Sequence, residues 1–199
     1  RSSDLYFNYN PQKQLAYKMS ETEADIPFIF KDLQNYLDTI TGICDHVKGK
    51  RHSDKSVNIS FDEWGVITDT GAIPGCVSQE YGYASFKEID AVIYGGILCT
   101  FFNNADRVKI ACQSLLVNEG GMITTDPGGR AIRQTTFYPF QDAARYARGK
   151  ALRASAVLPV KETEHHGYRK SVVTACTYDE ESGEISVFVV NCDMEDDVS

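Results

Sequence analysis

The residues best suited to acid–base or nucleophilic chemistry are two adjacent carboxylates, Asp62 and Glu63, in Ser60-Phe61-Asp62-Glu63-Trp64. They follow the alternating run Val57-Asn58-Ile59-Ser60-Phe61, and Trp64 is the only tryptophan of the chain. An ionised carboxylate can attack an anomeric carbon and form a covalent glycosyl-enzyme that water then releases. Side chains alternate along a strand. On that parity Val57, Ile59, Phe61 and Glu63 share one face, and Asn58, Ser60 and Asp62 the other. The two acids then diverge. The carboxylates of a retaining glycosidase face each other about 5–5.5 Å apart across the substrate, so a partner would come from another strand. The alternative is a solvated strand end, with Trp64 in the core.

Other chemistry-bearing residues signal less. Cys44, Cys76, Cys99, Cys112, Cys176 and Cys192 contain no C-x-x-C pair, which argues against zinc. They read as buried, reduced thiols suited to a reducing compartment. His165 and His166 are adjacent, point apart in an extended chain, and share ligand spacing with no acid or cysteine cluster. They read as a solvated linker.

The elements that must position these groups come next. At 199 residues the chain can hold one domain or parts of two. Its 42% hydrophobic and 24% charged residues are an ordinary globular balance. A net charge of −8 argues against non-specific nucleic-acid binding, which needs a basic stripe. No apolar run approaches the ~20 residues of a membrane span, and no targeting segment is visible. A start at Arg1 and an end just after a strand-like run read as a piece of a longer chain.

Residues 1–25 are polar and irregular. Leu33, Leu37, Ile40, Cys44 and Val47 then form one helical stripe, ending in Lys48, Lys50 and Arg51, where cations suit the helix dipole. Residues 56–61 read as a strand and 68–85 as a long loop, a kind of segment that is usually functional or mobile. Helical pieces are expected at Ile89–Phe102 and Asn104–Val117, a short strand at Met122–Thr125, and a short helix at Gln141–Arg148. Residues 171–178 and 185–191 read as a hairpin across the acidic turn Asp179-Glu180-Glu181-Ser182-Gly183. An α/β region thus precedes an all-β one.

Residues 56–64 resemble the nucleophile strand of glycoside hydrolase family 51, the α-L-arabinofuranosidases. Asn104-Ala105-Asp106-Arg107-Val108-Lys109, then Leu116-Val117-Asn118, is similar to that family's HADRVK…LVN helix. Pro127-Gly128-Gly129, then Arg133-Gln134-Thr135-Thr136-Phe137-Tyr138-Pro139-Phe140, resembles its PGG…RQT.YYPF segment. Val187-Phe188-Val189-Val190-Asn191 resembles a strand of its C-terminal β-domain. The resemblance covers almost all of the chain, in order. It implies the C-terminal part of a (β/α)8 TIM barrel over residues 1–140, with strand 7 at Val57–Phe61 and strand 8 at Gly121–Thr125. Residues 141–199 would be a linker and part of an all-β sandwich domain.

The resemblance makes Glu63 the catalytic nucleophile and Asp62 a supporting residue. Trp64 would pack beside the sugar or serve the core. Gln134 would hydrogen-bond the arabinofuranose, since an amide donates and accepts at once. Tyr9 would support the nucleophile, on a segment that departs from the family's H.YYGN at Tyr6 and Asn10. The family's Asn-Val-Trp after the nucleophile is Gly65-Val66-Ile67 here, which puts linkage preference in doubt. Glu119 imitates the acid/base motif in Val117-Asn118-Glu119-Gly120 but follows the nucleophile in chain order, so it reads as a loop acid. The acid/base is expected outside this chain.

The implied activity is retaining, exo-acting hydrolysis of α-L-arabinofuranosyl residues from arabinan, arabinoxylan and their oligosaccharides. No metal or cofactor is implied, nor a nucleic-acid or membrane partner. A cytoplasmic location and a homo-oligomer, commonly a hexamer, are implied. The alternatives are a related β-xylosidase or endoglucanase and a non-catalytic sugar-binding homologue.

Overall fold

The computed structural model describes residues 2–8, 19–67, 86–113, 115–163, 167–193 and 197. Its first half is a β-α-β-α-β run: β1 (Ser2–Asn8), α1 (Met19–Lys50), β2 (Ile59–Ile67), α2 (Glu88–Asn103) and β3 (Val108–Gln113). Among the described residues the strands form a three-stranded sheet, β1-β2-β3, parallel throughout. Parallel neighbours need long crossovers, and a helix supplies each one here.

α1 turns Leu33, Leu37 and Cys44 into the core, as its stripe predicts, while Val47 is exposed. α1 meets α2 closely at Gly96, where an added Cβ would fall on the Phe30 ring. A reciprocal amide pair joins Gln34 to Asn104 at the end of α2, at 2.8 and 3.0 Å. α2 is apolar on every side and is buried accordingly. Phe101 faces the sheet. Phe102 packs on Phe188, ring centroids 5.3 Å apart, and Gly95 lies under Val190.

The second half is antiparallel. β4 (Ile123–Thr125) and β5 (Ala131–Arg133) form a ribbon, followed by α3 (Phe137–Tyr146). β6 (Lys150–Leu152), β9 (Val172–Tyr178) and β10 (Ile185–Asn191) form a sheet in the order β10-β9-β6, and β7 (Val160–Thr163) pairs with β8 (Gly167–Lys170). Between α3 and β6, Gly149 has φ +72°, and a Cβ there would strike the Tyr178 carbonyl. One face of β10 rests on α2 through Phe188 and Val190. On the other, Ile185, Val187 and Val189 are exposed.

Several sequence expectations are corrected. Residues 1–25 contain a strand and the start of α1. Asn104–Val117 is not a helix: Asn104 closes α2 with its N–H on the Phe101 carbonyl, and Val108–Gln113 pairs with β2. A short apolar run suits either period, and tertiary pairing decides. The strand expected at Gly121–Thr125 pairs with β5, and β3 takes the place next to β2.

Candidate active site

β2 begins later than its sequence pattern suggests and runs on through both acids to Ile67. Against β1, Ser3 pairs with Phe61 and Asp4 with Glu63. Against β3, Ala111 pairs with Phe61 and Gln113 with Trp64. In both registers β2 carries one extra residue, a β-bulge. Phe61 and Trp64 therefore share the face covered by α2, with centroids 5.0 and 5.6 Å from the Phe101 ring. The two residues between them fall on the opposite, open face. This corrects the parity argument: Asp62 and Glu63 do not diverge, and both are exposed on one face.

Asp62 Oδ1 accepts a 2.8 Å hydrogen bond from Ser60 Oγ. Across the sheet the bulge lies opposite Cys112, which is exposed. Sequence reasoning grouped Cys112 with the buried thiols. Cys112 stands between half-buried Ala111 and Gln113 on β3, a placement set by pairing with β2.

Trp64 is 0% exposed. Its ring centroid lies 5.2 Å from Tyr94 of α2 and 6.3 Å from Phe140 of α3. Trp64 thus packs between β2, α2 and α3. Gly65 is also buried; a Cβ there would lie 3.5 Å from the Tyr94 hydroxyl, which accepts a 3.1 Å hydrogen bond from Gln113 Nε2.

Gln134 is buried and acts as a hub. Its Nε2 donates to the Gly121 carbonyl at 2.9 Å and to Thr124 Oγ1 at 3.0 Å, and its Oε1 accepts from the Phe86 N–H at 3.0 Å. Both amide donors are used within the protein, which leaves acceptor capacity on Oε1. Thr135 Oγ1 also donates to the Lys87 carbonyl at 2.7 Å. The segment before α3 is thus tied to the residues that enter α2.

Asp90, not singled out by the sequence reading, is 1% exposed in the first turn of α2. Its Oδ2 accepts from the Lys87 N–H at 2.6 Å, and burial raises its pKa to about 6. Its signal was an acid at the third helical position, where capping-box side chains sit.

Glu119 is exposed at φ +45° in a turn, beside Asn118, whose Oδ1 accepts from the Thr125 N–H at 2.8 Å. A turn takes the place of the helix end expected there. Tyr9, Cys76, His165 and His166 lie outside the described residues, as does the loop expected at 68–85. Among the described residues no group of three or more His, Cys, Asp or Glu could hold a metal ion, and no helix is long and apolar enough to cross a membrane. Cys99 and Cys192 are buried thiols pushed up to about 12 by desolvation. A cavity of about 1050 Å³ between the α1–α2 layer and the β-rich half is lined by Lys31, Asn104, Arg153 and Lys170 among others; Asp62, Glu63 and Gln134 do not line it.

The model of the alpha-L-arabinofuranosidase C-terminal domain matches residues 62–197. An intracellular exo-α-(1→5)-L-arabinofuranosidase of Acetivibrio thermocellus is 31% identical over 202 residues, covering 97% of this chain and 40% of that protein. Its namesake in Halalkalibacterium halodurans is 35% identical, covering 80% of this chain and 33% of that one. The solved structure of AbfB, a family 51 α-L-arabinofuranosidase from Bifidobacterium longum, superposes with a TM-score of 0.83 at 29% identity. It covers 98% of this chain and 39% of that one. The GH51 arabinofuranosidase of Xanthomonas axonopodis pv. citri, at 16% identity, shares the fold with a TM-score of 0.73, covering 96% of this chain and 38% of that one. The chain thus spans about two fifths of the length of these relatives or less.

Proposed function

This chain belongs to the alpha-L-arabinofuranosidase C-terminal domain family, and from that premise we propose that its protein is a retaining, exo-acting α-L-arabinofuranosidase with Glu63 as nucleophile. The observation that carries the assignment is the bulge in β2, which turns Glu63 to the open face while its neighbour Trp64 anchors the covered one. Glu63 attacks the anomeric carbon as the glycosidic bond breaks, and the leaving oxygen takes a proton from a general acid. The same group then deprotonates water, which attacks the anomeric carbon and releases arabinose and the Glu63 carboxylate. Asp62 is tied to Ser60 on the strand that carries Glu63, and the acid/base is read as lying on another strand, outside this chain.

β1, β2 and β3 are read as consecutive strands of a (β/α)8 barrel, with the site at their C-terminal ends. The β10-β9-β6 sheet is read as one layer of a sandwich, with Ile185, Val187 and Val189 facing its second layer. Gln134 is read as accepting from a sugar hydroxyl through Oε1, and Tyr9 as supporting the nucleophile. The substrates are arabinose-bearing oligosaccharides and polysaccharides such as arabinan and arabinoxylan. An intracellular site of action follows the names of the relatives, and a homo-oligomer, a hexamer, follows from the family reading.

The test is turnover of aryl α-L-arabinofuranoside against aryl β-D-xyloside by the full-length protein. Preference for the arabinofuranoside with retained anomeric configuration is expected. A preference for the xyloside would replace the reading with a related glycosidase. Absence of turnover on either would favour a non-catalytic sugar binder.

A further inference from the structure

Trp64 Nε1, Asp90 Oδ1 and Thr136 Oγ1 are buried and have no hydrogen-bond partner among the described residues. Their residues are 0%, 1% and 0% exposed. Buried polar groups in folded proteins are paired almost without exception, with protein or with ordered water.

Two sets of contacts place the three residues in one region of the core. The Trp64 indole packs on Tyr94 of α2 and Phe140 of α3. Asp90 precedes Tyr94 by four residues and Thr136 precedes Phe140 by four, so each stands on the same helical face, one turn nearer the N-terminus. Thr136 already has helical backbone angles, φ −66° and ψ −16°. Independently, the two helix starts are stitched together by Thr135 Oγ1 on the Lys87 carbonyl and the Phe86 N–H on Gln134 Oε1.

The three groups are also chemically complementary. The indole N–H only donates, the hydroxyl can donate, and the carboxylate oxygen accepts. A buried water typically makes about three hydrogen bonds, accepting up to two and donating the rest. We propose that one buried water sits where β2, α2 and α3 meet, accepting from Trp64 Nε1–H and Thr136 Oγ1–H and donating to Asp90 Oδ1, and that Asp90 thereby acts as a positioning residue for Glu63. The positioning role rests on the arabinofuranosidase reading. Asp90 Oδ2 is already held by the Lys87 N–H, so the carboxyl is fixed with one oxygen to spare. Trp64 directly follows the bulge. Holding its indole holds the backbone that aims Glu63.

The test uses the full-length, 15N-labelled protein, with the Trp64 indole resonance assigned by Trp64→Phe. Asp90→Asn keeps the shape but puts amide donors toward the water. Thr136→Val removes only the hydroxyl. Each should shift the Trp64 resonance and speed its solvent exchange by about tenfold or more, and the double variant should go no further than Asp90→Asn alone. Asp90→Asn should also lower kcat on aryl arabinofuranoside by about tenfold while KM stays within about twofold. A crystal structure should show a water about 2.7–3.2 Å from all three atoms. An unmoved indole resonance in both variants, or separate partners for the three atoms, would overturn the water site. If Asp90→Asn fails to fold, Thr136→Val carries the indole measurement alone. The indole measurement needs no substrate. A responsive resonance without arabinofuranoside turnover would sink the enzymatic reading and leave the water site standing. Normal kcat in folded Asp90→Asn would sink the positioning role and leave the enzymatic reading standing.

Discussion

On the covered face of β2, Phe61 and Trp64 are 0% exposed and share the Phe101 ring of α2. On the open face, Ser60 is half-buried and Asp62 and Glu63 are exposed. The same nine residues therefore do two jobs, because the bulge lets each face keep its own content. Packing fixes the strand from one side, and the exposed carboxylates stand on the other. The contrast teaches that substitutions on the two faces should fail in different ways.

The largest expected effect is on the open face. Glu63→Ala should lower kcat/KM on an aryl arabinofuranoside by at least about a thousandfold, while its unfolding midpoint stays near that of the parent. Retained activity would remove Glu63 from the mechanism. The covered face should invert this pattern. Trp64→Ala opens a cavity between β2, α2 and α3 and should cost about 3–5 kcal/mol in urea unfolding. A loss below about 1 kcal/mol would mean that the face is not the packed layer described.

Asp90 sharpens the comparison through pH. Its folded pKa, about 6, lies above the ordinary 3.8, so the folded state holds the proton more tightly than the unfolded chain. Stability from this group is full below about pH 4, falls as pH rises to about 6, and then levels off; the total change is on the order of 3 kcal/mol at most. Lys87 and Glu88 on the same turn and Arg133 before α3 are exposed. Asp90→Asn should flatten that window in thermal unfolding measured from pH 4 to 7. An unchanged slope would show that Asp90 is not the group responsible. The smallest effect should come from Ser60→Ala, within about 0.5 kcal/mol in the same unfolding assay, because the Ser60–Asp62 hydrogen bond is exposed.

The parts legible in the sequence were those set by local pattern. The β9–β10 hairpin was read nearly residue for residue, because runs rich in β-branched residues flank a turn rich in Asp, Glu, Ser and Gly. The α1 stripe was legible through Cys44 by its helical spacing. Val108–Gln113 was misread because Val-Lys-Ile-Ala-Cys satisfies either period, and only pairing with β2 chooses. The bulge was not legible at all, since parity counts residues and cannot see an extra one opposite a neighbour. Glu63 was reached through resemblance, while the burial of Gln134 and Asp90 depends on contacts between segments distant in the chain.

The bulge also has a consequence for insertions and deletions. A regular strand inverts its two faces when it gains or loses one residue. Loss of the Asp62 codon would leave Phe61, Glu63 and Trp64 in simple alternation, with the aromatics still inward and Glu63 still outward. Loss of the Ser60 codon would bring Phe61 next to Ile59 and disturb the phase. The Asp62 deletion should fold and the Ser60 deletion should unfold at lower temperature. Similar melting of the two would mean that β2 tolerates length changes anywhere, not at one codon.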